Sequence, residues 1–129
     1  MELEHPDMSF IAHNDAVQEY YFKEGCFITE FHNTESDNAV SIAQARVKPG
    51  ETTRWHALLH TTERYIILSG TGSVEVGDDK PVLVGAHDVV CIPPDIPQRI
   101  TNTGVDDLIF LAVCSPRFQQ KQYIDLENV

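Results

Sequence analysis

Residues 50–70 read GETTRWHALLHTTERYIILSG, and the order of residue types in this stretch decides the fold. Thr53 to Leu58 and Arg64 to Leu68 are short runs carrying Thr, aliphatic and aromatic residues. Turn formers bound them, Lys48-Pro49-Gly50 before the first and Ser69-Gly70-Thr71-Gly72 after the second. Side chains alternate along a strand, so Arg54, His56 and Leu58 share one face. If that face is the interior, His56 points into a pocket with Leu58 beside it and Arg54 at the rim. Tyr65 and Ile67 alternate in the same way on the next run, and Tyr65 is a candidate pocket wall.

The same pattern extends in both directions. Further strands are expected at Cys26 to His32, Val40 to Val47, Ser73 to Val76, Pro81 to Val84, Val89 to Ile92, Gln98 to Asn102 and Leu108 to Cys114. With the two central runs this makes about nine. Clusters of Gly, Pro, Asn and Asp separate them. Connections this short favour antiparallel neighbours, and no stretch supplies the crossover helix that a parallel sheet needs. The expectation is an all-β sandwich or closed barrel of jelly-roll type. Before it, Asn14 to Lys23 reads as a short helix, with a polar cap at its start and Gly25 as its stop. The chain then divides into an N-terminal extension over 1–25, a barrel over 26–116 and a polar tail over 117–129, in which Tyr123, Ile124 and Leu126 are anchors.

With 129 residues, 42% of them hydrophobic and 22% charged, the chain fits one globular domain. Nine Lys plus Arg stand against twenty Asp plus Glu, a formal charge of -11. That balance repels a phosphate backbone or an anionic membrane surface, so neither nucleic acid nor membrane is an expected partner. The opening residues show no basic segment followed by an apolar run, and no stretch approaches membrane-spanning length. Cys26, Cys91 and Cys114 are odd in number and scattered, which suits the reducing cytoplasm and reads as small apolar thiols. There is no Gly-x-Ser-x-Gly, phosphate-binding glycine loop or dinucleotide fingerprint.

Two constellations carry chemistry. In the first, Gly50, His56, Glu63 and Gly70 stand at fixed spacings. In the second, Pro93-Pro94-Asp95-Ile96-Pro97-Gln98-Arg99-Ile100-Thr101-Asn102 pairs a Pro-rich turn with a strand. The first resembles the cupin motif G-x5-H-x-H-x3,4-E-x6-G, with Leu58 where the second histidine is expected. The second resembles the latter part of G-x5-P-x-G-x2-H-x3-N. There Pro93 and Asn102 match, His87 and Asp95 stand at the glycine positions, and Gln98 replaces the histidine.

The resemblance implies a double-stranded β-helix and a divalent metal inside it, held by His56, Glu63 and Gln98, with Fe, Mn, Zn or Ni as candidates. An amide is a weaker donor than imidazole, so affinity should be below that of a three-histidine site. His60 completes a two-histidine, one-carboxylate set if a bulge turns its ring inward; otherwise it sits exposed in the loop His60-Thr61-Thr62. Three of these residues have non-metal readings as well. His56 can be a hydrogen-bonded pocket histidine, Glu63 an ion-pair partner of Arg64 or Arg54, and Gln98 a direct contact to a polar ligand.

Arg54, Leu58 and Tyr65 are the expected substrate contacts, Arg54 through a substrate carboxylate. The implied function is a metal-binding cupin acting on a small oxygenated molecule, of dioxygenase, decarboxylase, isomerase or lyase type. The alternative is a non-catalytic small-molecule binding or sensing barrel with weak or no metal. A homodimer is implied by the resemblance alone.

Overall fold

The computed structural model describes residues 9–127. Among the described residues, eleven strands form two antiparallel sheets. They are β1 Tyr20–Phe22, β2 Cys26–His32, β3 Ser41–Val47, β4 His56–Leu58, β5 Thr62–Ser69, β6 Gly72–Val76, β7 Val82–Val84, β8 Val89–Ile92, β9 Gln98–Asn102, β10 Leu108–Ser115 and β11 Tyr123–Asp125. One sheet has the order β1-β2-β3-β10-β5-β8 and the other β11-β4-β9-β6-β7. Strand β3 pairs with β10, β4 with β9, β5 with β8 and β6 with β7. That nesting is one long hairpin rolled on itself, so successive rungs fall in alternate sheets. The double-stranded β-helix expected from the sequence is the observed architecture.

The interior between the sheets follows the alternation. Val47, Tyr65, Ile67, Ile100, Leu108 and Phe110 are fully buried and form one cluster. Gly70, at φ +89°, shows why a glycine is needed after β5: a Cβ there would lie 2.8 Å from Asp107 O and 2.9 Å from Leu108 Cα. The two glycine positions filled by other residues keep left-handed backbone, at φ +75° for His87 and +70° for Asp95. Asx and His residues tolerate that region better than most, so the turns survive the replacements.

Two expectations at the flanks need correction. No helix forms over Asn14 to Lys23; the described structure there is a turn followed by β1. Tyr20-Tyr21-Phe22 is an aromatic run with strand preference, and Gly25 at φ +97° turns it back onto β2 as a hairpin. The glycine read as a helix stop is a hairpin turn. The tail likewise adds a strand, since β11 pairs with β4 through Asp125 opposite His56. Both segments outside 26–116 therefore complete the sheets.

Candidate functional site

Each polar group of the site is placed by a different strand. His56, at the start of β4, is fully buried, and its ring stacks on Tyr123 of β11 at 5.0 Å. Its Nδ1 lies 2.6 Å from Arg54 O; a carbonyl only accepts, so Nδ1 carries the proton. Its Nε2 lies 2.7 Å from Glu24 Oε1, at ion-pair distance. The two are not aligned as a hydrogen bond, and Nε2 is a buried atom without a directed partner, as is Tyr123 OH. Glu24 comes from the hairpin turn before β2. Arg54 N–H donates to Glu24 O at 2.8 Å, so the Arg54 peptide groups hold both members of the pair.

Opposite them, on β5, Glu63 accepts from Gln98 Nε2 at 2.5 Å, and Tyr65 OH donates to Gln98 Oε1. Two buried thiols sit on the carboxylates, Cys26 Sγ 3.3 Å from Glu24 Oε2 and Cys114 Sγ 3.7 Å from Glu63 Oε2. Burial, and then the carboxylate beside each, push both thiols far up, so they act as weak donors rather than nucleophiles.

Electrostatics separates the two carboxylates. For His56, burial opposes the imidazolium, but Glu24 outweighs it and lifts the pKa from 6.5 to about 9. Burial likewise disfavours the Glu24 anion, and His56 overrides it, holding Glu24 below its ordinary value. Glu63 has no such partner. Burial first, then the Glu24 charge, raise it from 4.5 to about 7, against the pull of His56 and Gln98.

Glu24 and Glu63 line a cavity of about 60 Å³, together with Leu58 and Tyr65. Arg54 does not line it: its guanidinium faces outward to Asp125 at 2.9 Å. The alternation that should bring Arg54 inward holds only over the three residues of β4, which starts at His56. Arg64 bonds Ser115 Oγ, so neither arginine pairs with Glu63. His60 is exposed at φ +59° in the β4–β5 loop, where its N–H takes Asp95 Oδ1 at 2.8 Å. The structure therefore gathers His56, Glu63, Gln98, Leu58 and Tyr65, and leaves Arg54 and His60 outside. Glu24 escaped the sequence reading because it lay beside a supposed helix stop. The hairpin signal, aromatics followed by Lys23-Glu24-Gly25, was there to find it.

Residues 43–114 match the family model described as Cupin domain, and the chain belongs to the cupin family. It is 30% identical over 115 residues to uncharacterized protein MJ1618 of Methanocaldococcus jannaschii, covering 88% of this chain and 91% of that one. It is also 31% identical over 86 residues to mannose-1-phosphate guanylyltransferase 2 of Escherichia coli O157:H7, a match over 67% of this chain and 18% of that longer protein. In fold it is similar to Pac13 of Streptomyces, a nucleoside dehydratase, with a TM-score of 0.76 at 15% identity and coverage of 92% of this chain and 91% of that one.

Cupins commonly hold a divalent metal, and the polar groups around this cavity are the donors one would need. They do not fit. Among the described residues no three His, Cys, Asp or Glu side chains are grouped to hold an ion. The second histidine position is Leu58, a buried hydrocarbon, the Gln98 oxygen accepts from Tyr65 OH, and the Glu63 carboxylate accepts from Gln98 Nε2. Of the expected set, Glu63 and Gln98 join Tyr65 in a hydrogen-bond network, His56 lies at ion-pair distance from Glu24, and His60 stays outside.

Proposed function

We propose that this cupin acts on a small oxygenated molecule in the barrel cavity by proton transfer between protein groups. The observation that carries the reading is the contrast between two carboxylates lining one cavity, Glu24 held ionised and Glu63 poised near neutrality. Two titratable groups driven apart by their surroundings are the arrangement acid–base catalysis needs. Glu24 is the base that takes a proton from substrate carbon or oxygen. Glu63 is the acid that delivers one to a departing oxygen, with Gln98 fixing its orientation and Tyr65 fixing Gln98. His56 is a positioning residue that keeps Glu24 charged. Elimination or isomerisation of a hydroxylated compound follows from these roles, and the dehydratase chemistry of a fold neighbour supports that class. The cavity is far smaller than a nucleoside, so the substrate is smaller or enters by one end only.

Metal analysis of protein purified without a metal-affinity tag, beside its His56→Ala variant, tests the reading. The expected result is substoichiometric metal in both, with Glu63 titrating near 7 by carboxyl-carbon NMR. Stoichiometric Fe, Mn, Zn or Ni that disappears with His56 overturns it and restores the metal-dependent function. Normal titration with no turnover of any hydroxylated compound leaves the non-catalytic binding barrel. A homodimer in the cytoplasm is the proposed working state. Three free cysteines and the exposed Val89 on the free edge strand β8 support it, and sedimentation is its test.

A further inference from the structure

We propose that two copies of this chain pack face to face through the outer surface of β10, β5 and β8, related by a two-fold axis that runs across the strands. The inference rests on the homodimer reading above and names its surface. Strand register sets two rows there. One is Leu111, Ile66 and Val89, and the other is Val113, Arg64 and Cys91, each aligned across β10, β5 and β8. Tyr65, Ile67, Phe110 and Val90, their neighbours along the strands, fill the core, so by alternation these six point away from it. An antiparallel sheet with one face in water shows polar residues on that face. Here all but Arg64 are apolar, and Val89 is 62% exposed with Cys91 exposed beside it. The described N-terminal segment is elsewhere: Phe10 stacks on His32 of β2, which β3 separates from these strands.

Charge selects a second copy as the occupant. At a formal charge of -11, two copies repel over most of their surface. Neither row holds an Asp or Glu, so this is a face that two such chains can bring together. It also carries opposite charges at its two ends. Arg64 donates to Ser115 Oγ, a neutral partner, and among the described residues no carboxylate lies at ion-pair distance from it. Exposed Asp88 adjoins Val89 at the other end of β8, where it accepts from Gly85 N and meets no cation among the described residues. A two-fold axis along the strands would set Arg64 against Arg64. An axis across them reverses their direction, which packs the Leu111, Ile66 and Val89 row on its own copy and turns each Arg64 toward the other copy's Asp88. Three strands about 4.8 Å apart make a narrow face, below the about 800 Å² per partner of a standard interface, so the dimer should be weak and concentration-dependent.

The test is sedimentation of the tag-free full-length chain over a range of concentrations, beside the rate at which iodoacetamide modifies Cys91. Cys26 and Cys114 are buried and give the slow background. A monomer to dimer equilibrium is expected, with Cys91 modification slowing in proportion to the dimer fraction. Val89→Glu should abolish association. Arg64→Glu should weaken it about tenfold, and Arg64→Glu combined with Asp88→Lys should restore most of the loss. Unfolding curves of the diluted variants, expected to match the parent for Val89→Glu and Arg64→Glu, assign these losses to the interface. A dimer whose Cys91 reacts at the monomer's rate, or that survives Val89→Glu, overturns the face and leaves a homodimer joined through a strand edge. A chain that stays monomeric at every concentration overturns both readings, and a slow Cys91 in that monomer would mark a segment of its own chain as the cover.

Discussion

Two buried polar places in this barrel are built in contrasting ways. Asn102, at the end of β9, is saturated: its Nδ2 donates to Val47 O and to Asp106 O, both at 2.8 Å, and its Oδ1 accepts from Gly104 N at 2.8 Å. Every partner is backbone, and the result is a fixed loop. At the other end of the same strand, Gln98 belongs to a network of side chains in which His56 Nε2 lacks a directed bond and two carboxylates share one cavity. Saturation marks a polar group used for structure. Incomplete saturation, at the same depth, marks one kept available for a ligand.

The comparison breaks most directly at its saturated side. Asn102→Ala strips partners from the buried Val47 carbonyl, the Asp106 carbonyl and the Gly104 N–H, so urea unfolding should show a loss of about 2 kcal/mol with cavity binding retained per folded molecule. At the unsaturated side, Glu24→Ala should lower stability by about 2 kcal/mol near pH 6, less than the usual loss for a broken buried pair, because His56 sheds its proton rather than remain charged alone. Cavity binding should disappear with it, the reverse of the Asn102 outcome. Equal effects of the two variants on stability and binding would erase the distinction.

The pH dependence sharpens it further. His56, raised from 6.5 to about 9, stabilises the fold fully below 6.5 and loses that contribution as pH climbs to 9. Glu63, raised from 4.5 to about 7, ionises more readily in the unfolded chain, so stability also falls as pH rises between those values. Glu24 is lowered, and its contribution is lost only on the acid side. Denaturant curves should therefore peak near pH 4.5 and decline by several kcal/mol toward pH 9, with Glu63→Gln removing the portion below pH 7. A flat profile would mean the site is hydrated rather than buried. The smallest effect is expected for His60→Ala, which should leave cavity binding and metal content unchanged by NMR titration and metal analysis.

The strands were legible because local pattern determines them. Cys26–His32, Val89–Ile92 and Gln98–Asn102 match their expected limits residue for residue, and the motif spacings survive even where His87 and Asp95 replace glycines. The site was only half legible. His56, Glu63 and Gln98 sit where the motif puts them, since spacing within rolled strands sets their depth. Glu24 comes from a hairpin outside the motif, and its contact with His56 depends on tertiary packing that no local pattern encodes. Arg54 failed for a geometric reason, because parity holds only while a strand continues and β4 begins two residues later.

Arg54 nevertheless has a consequence for how this site would be mapped. Its amide holds the Glu24 turn and its carbonyl holds the His56 ring, while its side chain reaches only a surface aspartate. An alanine scan across residues 50–70 would record position 54 as silent. Removing the amide itself, by Arg54→Pro or an amide-to-ester exchange, would separate the base from its counter-charge, so the backbone of a position that tolerates any ordinary side chain sets the spacing of the whole centre.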